Sequence, residues 1–349
     1  MSARRLKIAS VANNYGKSHD GVGAYAGVQG EELSKYADVS VYTSECRYEE
    51  SKLRKFFCMG MTKQLFKVTR DCKNYDVVLI DYLFVEWNPL ILLPIIILNR
   101  SRKKNGCKLV ISLHEYNRVN SLRKKMIKTI CKKADMVFVA DDTLKKSIQG
   151  FCKKIVIRPI PSNVFNESII ESNVPKDKNV FVYFGLINKA KAFDEMIDAW
   201  DLFNEDGNKQ LIVISGSSIQ GLEKHKNVAY RYNLTDNEIL KIMMKCAASI
   251  VPVIPEVDMK NTTFKTSCIT GCVSIGKFCE DYRKLKFVIP MEEYNVQDFV
   301  DAFSKVDQFS DKRINILSDE ARAYGKIYTP PNVAKKLLNA IEALGNDKE

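Results

Sequence analysis

The sequence predicts an α/β protein made of two Rossmann-like, doubly wound parallel-sheet domains, and three observations carry that expectation. Short runs rich in Val, Ile and Leu alternate with longer amphipathic stretches, the signature of parallel α/β domains rather than of sandwiches or bundles. The alternation stops between Pro159 and Asn179, where PIPSNVFNESIIESNVPKDKN holds three prolines, four asparagines and several charges, the composition of a linker. It then restarts, and a length of 349 residues is enough for two domains that each bury a core.

In the first half, apolar runs near Lys7–Ala12, Val39–Tyr42, Val77–Ile80, Leu109–Ser112, Met136–Val139 and Ile155–Arg158 read as strands. Helices begin near Gly23, Ser51, Pro89, Val119 and Asp142. The run PLILLPIIIL from Pro89 to Leu98 falls short of the roughly 20 residues that span a bilayer and contains prolines, so a buried helix is expected. Its sequel NRSRKKNGCK reads either as a solvated helix end or as a segment near anionic lipid. In the second half, strands are expected near Val180–Phe184, Leu211–Ser215, Val228–Tyr230, Ser249–Val251, Val273–Ile275 and Lys286–Ile289. The matching helices start near Lys191, Thr235, Thr262 and Asn295. A helical stretch over Asp311–Gly325 meets Thr329-Pro330-Pro331, which forces a break, and NVAKKLLNAIEAL resumes as a helix able to return to the first domain. The expected domains are 1–162 with 330–349, and 163–329.

Composition narrows the function. With 46% hydrophobic and 28% charged residues the chain is an ordinary globular protein. MSARRLKIAS is followed by polar residues and not by an apolar signal stretch, and ten cysteines are scattered without a C-x-x-C pair. Reduced, mostly buried thiols rather than a zinc site, and a cytoplasmic location, are therefore expected. The net charge of +12 favours polyanionic partners: nucleic acid, a lipid surface or phosphorylated small molecules. Nucleic acid is disfavoured because the lysines are spread over many helices with no recognition module. Between Ser51 and Arg70, SKLRKFFCMGMTKQLFKVTR mixes basic and apolar residues; it reads either as a segment lying in a headgroup layer, peripheral at the inner face of a membrane, or as a core-packed helix with a charged face.

Ligands of open parallel sheets sit at the carboxyl ends of the strands, so four loops draw the search for a site. After the first strand, Gly21-Val22-Gly23 precedes a helix, where glycines let amides approach an anion or simply make a tight turn. The fourth strand ends in LHEYNR, placing one of only three histidines, His114, and Glu115 where strand becomes loop. A neutral imidazole there can bind substrate hydroxyls, or be a packed core histidine. The restart strand leads into FGLINKAKAF, with Gly185 at the turn and Lys189 and Lys191 near the next helix start. A lysine at that helix end opposes the dipole unless a phosphate reverses the penalty. After SIVPV comes IPEVDMKNTTFKTSCITG, in which Asn261 or Thr262 can cap a helix whose free amides, with Thr262 and Thr263, form an anion site. Gly216, which ends the strand Leu211–Ser215, and Ser162 and Asn163 in the linker are supporting candidates. No complete glycine fingerprint with its distal acid is present, which argues against an NAD-dependent oxidoreductase.

Taken in order, these loops resemble the GT-B glycosyltransferases of glycosyltransferase family 4 over nearly the whole chain. The resemblance implies two Rossmann-like domains facing a cleft, a nucleotide-diphosphate sugar as co-substrate, and retention of configuration. It places Gly21 and Gly23 at the donor phosphates or acceptor and His114 on the transferred sugar. The family's G-R-L-x-x-x-K-G segment maps onto Gly185 to Ala192, giving Lys191 the diphosphate, and Pro159 to Val164 is similar to the domain crossing. Two departures stand out: the arginine of G-R-L is Leu186, and the E-x7-E pair is absent, since counting from Glu256 reaches Phe264. DMKNTTFKTSCITGCVSIG is similar to a branch that offers helix amides instead, here those of Thr262, Thr263 and Phe264, with Lys260 or Lys265 nearby. Lysine and helix ends would then replace a metal, so the resemblance implies neither a metal nor a cofactor beyond the nucleotide-sugar co-substrate. No carboxylate stands out as a nucleophile; Glu115, Glu256 and Asp258 qualify only by loop position. The implied acceptor is a glycan or lipid-linked saccharide of surface-polysaccharide synthesis. The competing reading is an inactive, glycosyltransferase-like binding subunit.

Overall fold

The computed structural model describes residues 4–17, 20–46, 51–172, 174–188, 190–216, 221 and 224–346. Lys189 lies outside them. The chain divides into two units, one of Met1–Ile160 with Pro330–Glu349 and one of Pro161–Thr329.

The first unit holds a six-stranded parallel sheet of β1 (Leu6–Asn13), β2 (Ala37–Ser44), β3 (Val77–Tyr82), β4 (Lys108–Leu113), β5 (Met136–Val139) and β6 (Ile155–Ile157), in the order β2-β1-β3-β4-β5-β6. Its helices are α1 (Gly21–Ser34), α2 (Lys52–Phe57), α3 (Gly60–Asp71), α4 (Leu92–Asn105), α5 (Ser121–Cys131) and α6 (Asp142–Ile148). Alternate strand residues feed two cores, as period-2 geometry requires. Ala9, Val11, Val78, Ile80, Leu109 and Ile111 meet α3, α4, α5 and α6 on one face. Ile8, Val77, Leu79 and Val110 turn to the other.

The second unit holds β7 (Asp177–Phe184), β8 (Gln210–Ser215), β9 (Val228–Tyr232), β10 (Cys246–Ile250), β11 (Val273–Gly276) and β12 (Val288–Pro290), all parallel, in the order β12-β11-β10-β7-β8-β9. Its helices are α7 (Glu167–Ile170), α8 (Phe193–Phe203), α9 (Asp236–Met243), α10 (Thr262–Thr270), α11 (Glu280–Arg283), α12 (Val296–Asp307) and α13 (Asp311–Gly325). One face buries Phe181, Tyr183, Leu211 and Val213 under Trp200 of α8 and Phe299 and Phe303 of α12. The last helix, α14 (Pro330–Asn346), starts on Pro330, where a missing N–H costs nothing. Its Leu337, Leu338 and Ile341 pack with Ile8, Leu33 and Leu79 of the first unit.

The two six-stranded sheets are the α/β fold class expected from the sequence. Four local expectations need correction. The stretch from Ser51 to Arg70 is two helices, α2 and α3, broken at Cys58 and Met59; the Met61 amide in the first turn of α3 donates to Glu86 Oε2 at 2.9 Å. The apolar run after Pro89 is not wholly buried: Ile91, Ile95 and Leu98 are buried, whereas Leu90, Leu93 and Ile97 are 56%, 52% and 36% exposed. The irregular segment 159–179 contains α7, whose Ile169 and Ile170 pack on the second core. Finally, α8 begins at Phe193, so Lys191 precedes the helix rather than opening it.

Candidate functional site

Strand order in the second sheet reverses between β7 and β10, and a crevice is expected beyond the strand ends at such a point. A cavity of about 560 Å³ lies there, lined by Gly185, Leu186, Asn188 and Lys191 after β7 and by Lys260, Asn261, Thr262 and Thr263 at the start of α10. Gly216 after β8 and Asn163 also line it, with Phe184, Ile214, Asn233 and Leu234 among its other walls. The loop after β7 is pinned from below. Gly185 has φ +148°, a value that favours glycine, and the Tyr183 hydroxyl donates to the Leu186 carbonyl at 2.9 Å.

Lys191 is fixed through its backbone. It bridges Val253 in an antiparallel pair, flanked by Ile254 N–H to Ala190 O at 3.0 Å and Ala192 N–H to Pro252 O at 3.2 Å. Val253 is held in turn, since its N–H donates to the Tyr294 hydroxyl at 3.0 Å. Burial pushes the Lys191 ammonium below its ordinary pKa, because desolvation disfavours the charged form. Among the described residues no carboxylate pairs with it, and none of the described cavity-lining residues is acidic. Across the cavity, Asn261 caps α10 by accepting from the Phe264 N–H at 2.8 Å. The first turn of a helix leaves its amides without intrahelical partners, and these carry the positive end of the dipole. A half-buried ammonium, a second lysine and a helix N-terminus around one cavity are groups suited to an anion.

The first unit contains a different arrangement. His114 leaves β4 with its N–H on the Tyr82 carbonyl at 2.8 Å, and its Nε2 lies 3.2 Å from Asp81 Oδ1 and 3.4 Å from Ser112 Oγ. Asp81 is fully buried. Its Oδ2 accepts from Gln29 Nε2 at 3.2 Å, while Gln29 Oε1 accepts from Tyr25 Oη at 2.9 Å and from the Arg158 guanidinium. Arg158 also donates to Ser112 Oγ at 2.9 Å and lies over the Tyr25 and Phe138 rings. Burial lowers its pKa, yet a guanidinium remains charged at neutral pH. Asp81 and Arg158 therefore balance one another through Gln29, and the chain of bonds fixes the imidazole. With Nε2–H given to Asp81, Nδ1 is left as an acceptor. His114 and Glu115 line a cavity of about 480 Å³ with Trp87, Phe84, Lys55 and Arg123.

The chain matches known structures over nearly its whole length. The chain aligns with an E. coli trehalose-6-phosphate structure bound with UDP-2-fluoro glucose at a TM-score of 0.61 and 11% identity, covering 96% of this chain and 98% of the other. An α-glucosyltransferase in complex with UDP-glucose and DNA containing an abasic site gives 0.61 and 12%, over 97% and 100%. HepE of Anabaena in complex with UDP gives 0.60 and 11%, over 97% and 100%. The fold is GT-B. No protein-family model and no curated protein matches the sequence.

Within this GT-B frame the predicted site residues separate. Gly185, Lys191, Gly216, Lys260, Asn261, Thr262, Thr263 and Asn163 come together around one cavity. Four others do not join them. The Phe264 amide is taken by Asn261, and its ring packs on Phe278 and Tyr282 in the core. Lys265, on the inward side of α10, is buried with its ammonium 5.2 Å from the Tyr328 ring centroid. Ser162 is buried, donating to the Val164 carbonyl at 2.8 Å with Thr266 Oγ1 at 2.9 Å. Glu115 Oε1 accepts from the Tyr116 and Asn117 amides, both at 2.9 Å, and so caps its own turn.

The first-strand glycines are also corrected. Asp20 caps α1, its Oδ1 accepting from Val22 N–H at 2.9 Å and Gly23 N–H at 3.2 Å, so the protein's own carboxylate occupies that helix end. Gly21 opens α1 at an exposed position. Gly23 is required for packing, because a Cβ there would lie 2.2 Å from the Asn14 carbonyl oxygen. Gly23→Ala is expected to cost about 1–3 kcal/mol of stability, read by chemical denaturation; an unchanged midpoint would show that the turn gives way freely.

The sequence reading missed Asp81, Gln29 and Arg158 around His114, and Tyr183 and Tyr294 beneath the loops. Asp81 carried a signal: it is the lone charge inside the apolar strand VVLIDY, and a buried carboxylate needs a reason to be there.

Proposed function

We propose that the protein transfers a sugar from a nucleotide-diphosphate sugar to a saccharide acceptor, with retention of configuration and without a metal. The observation that carries this reading is the cavity at the β7–β10 switch point, lined by Lys191 and the start of α10 and with no acid among its described lining residues. Breaking the glycosidic bond leaves negative charge on the diphosphate. An ammonium and a helix N-terminus lining that cavity would stabilise this charge without reorganisation. The fold is shared with structures that hold UDP or a UDP-sugar, so uridine is the first base to try. His114 takes the transferred sugar by the family resemblance, with Nδ1 accepting from a hydroxyl, and the donor phosphate serves as base in front-face attack. Its cavity, with Lys55, Arg123 and the Trp87 ring, suits a glycan or lipid-linked acceptor, as in surface-polysaccharide assembly.

A thermal-shift screen with UDP, GDP, TDP, ADP and CMP tests the reading, since a selective ligand raises the melting temperature by mass action. One diphosphate is expected to stand out; no shift with any would remove the basis for the proposal. Turnover is expected to continue in EDTA, and loss on chelation with rescue by a divalent ion would refute the metal-free site. One observation favours a second reading, a binding subunit that does not turn over: Leu186, 60% exposed, lines the cavity where the family has arginine. A selective nucleotide shift with neither transfer nor donor hydrolysis would decide for it.

A further inference from the structure

We infer that the outward face of α3 and α4, extended by α2, docks on an anionic lipid bilayer. Both helices lie on the same face of the first sheet, α3 through Met61, Leu65 and Val68 and α4 through Ile95 and Leu98, and they pack against each other. Their opposite edges therefore point away from the protein. On α4 that edge reads Leu93, Ile97, Arg100, Lys104, all exposed, at the i, i+4, i+7, i+11 spacing of a single stripe. Leu90 in the preceding turn continues it. An outward stripe is normally polar, yet here it begins with three exposed aliphatic side chains.

The neighbouring elements repeat the combination. On α3 the exposed edge is Lys63, Phe66, Lys67 and Arg70. On α2, Leu53 is 68% and Phe57 65% exposed, and the adjacent Phe56 packs on Trp87, its centroid 4.9 Å away, just before Pro89. Six of the fifteen exposed large apolar side chains among the described residues fall between Leu53 and Ile97.

Charge selects the occupant. Between Ser51 and Cys72 the only acidic residue is Asp71, which accepts from the Tyr42 hydroxyl at 2.9 Å, and none occurs between Asn88 and Val110. Arg54, Lys63, Lys67, Arg70, Arg100, Lys103 and Lys104 are all exposed. A second copy of the chain would bring like charges face to face. Nucleic acid would leave the leucines against phosphates. Anionic headgroups over acyl chains satisfy both halves of the surface.

The inference stands apart from the sugar-transfer reading, because its test reads vesicle binding. The full chain is floated with phosphatidylcholine vesicles with and without phosphatidylglycerol. Binding is expected only to the anionic vesicles and is expected to weaken with salt. Leu93→Ser with Ile97→Ser should lower the partition coefficient about tenfold, and Lys63→Glu with Lys67→Glu should lower both binding and its salt dependence. Lys312→Glu, on α13 in the other unit, should change nothing. Equal binding to neutral vesicles overturns the proposal, as does undiminished binding of the Leu93/Ile97 variant. Equal affinity of wild type and that variant for duplex DNA would likewise reassign the face to a general polyanion surface. The nucleotide thermal shift of each variant reports separately on the donor cavity.

Discussion

Lys191→Ala is expected to erase most of the thermal stabilisation that a nucleoside diphosphate gives this protein and to lower kcat/KM by roughly 100-fold. The free ammonium is half-buried, and among the described residues no carboxylate pairs with it. Its pKa is lowered by desolvation, so the unfolded chain binds this proton more tightly than the folded one. In the free protein, stability therefore rises with pH between that lowered value and the ordinary lysine value. A bound diphosphate acts in the opposite sense, since it favours the charged form. Nucleotide-induced stabilisation should then fall as pH rises through the same window, earlier than an unperturbed lysine would allow. Alanine removes both terms: the empty protein should melt no lower than wild type while most of the nucleotide shift is lost. A variant that keeps the full shift, with the same pH dependence, would show that the diphosphate lies elsewhere.

The variant also separates the legible part of the site from the illegible part. Both sheets follow from patterning, because short apolar runs rich in Val and Ile, such as VVLIDY in β3 and KLVISL in β4, suit strands buried on both faces better than helices. Lys191, Asn261, Thr262 and Thr263 were legible because a helix start after a strand is a local signal. What holds Lys191 was not, since its bridge to Val253 and the hydroxyl of Tyr294 behind it join segments far apart in the chain. The inward turn of Lys265 was equally hidden: it lies two residues beyond Thr263, and only the helical phase carries it from the cavity to Tyr328. Glycine proved ambiguous for a related reason. Gly21 and Gly23 look like an anion loop, but the Asp20 carboxylate accepts from the Val22 and Gly23 amides there, and a capping aspartate has the same sequence signature as one turned to solvent.

His114→Ala is expected to lower turnover by about 100-fold while leaving the nucleotide-induced thermal shift at its wild-type size. The split follows from the different environments of the two groups. Lys191 lines a cavity with no acid among its described lining residues and is proposed to neutralise an anion, whereas His114 has its Nε2 on a buried carboxylate and only Nδ1 to offer. A single acceptor atom held to a fixed direction by Asp81, Gln29 and Arg158 is poorly suited to diphosphate, but well suited to orienting one hydroxyl of a sugar in the transition state. Asp81→Asn is the poorer probe, because it would leave the buried Arg158 guanidinium without its balancing charge and destabilise the unit. His114→Ala removes a side chain that is 13% exposed and leaves Asp81 bonded to Gln29, so folding should survive. Steady-state transfer kinetics beside a UDP melting series would check the expectation. Loss of the nucleotide shift together with turnover would place His114 in donor binding, and unchanged turnover would remove it from the reaction.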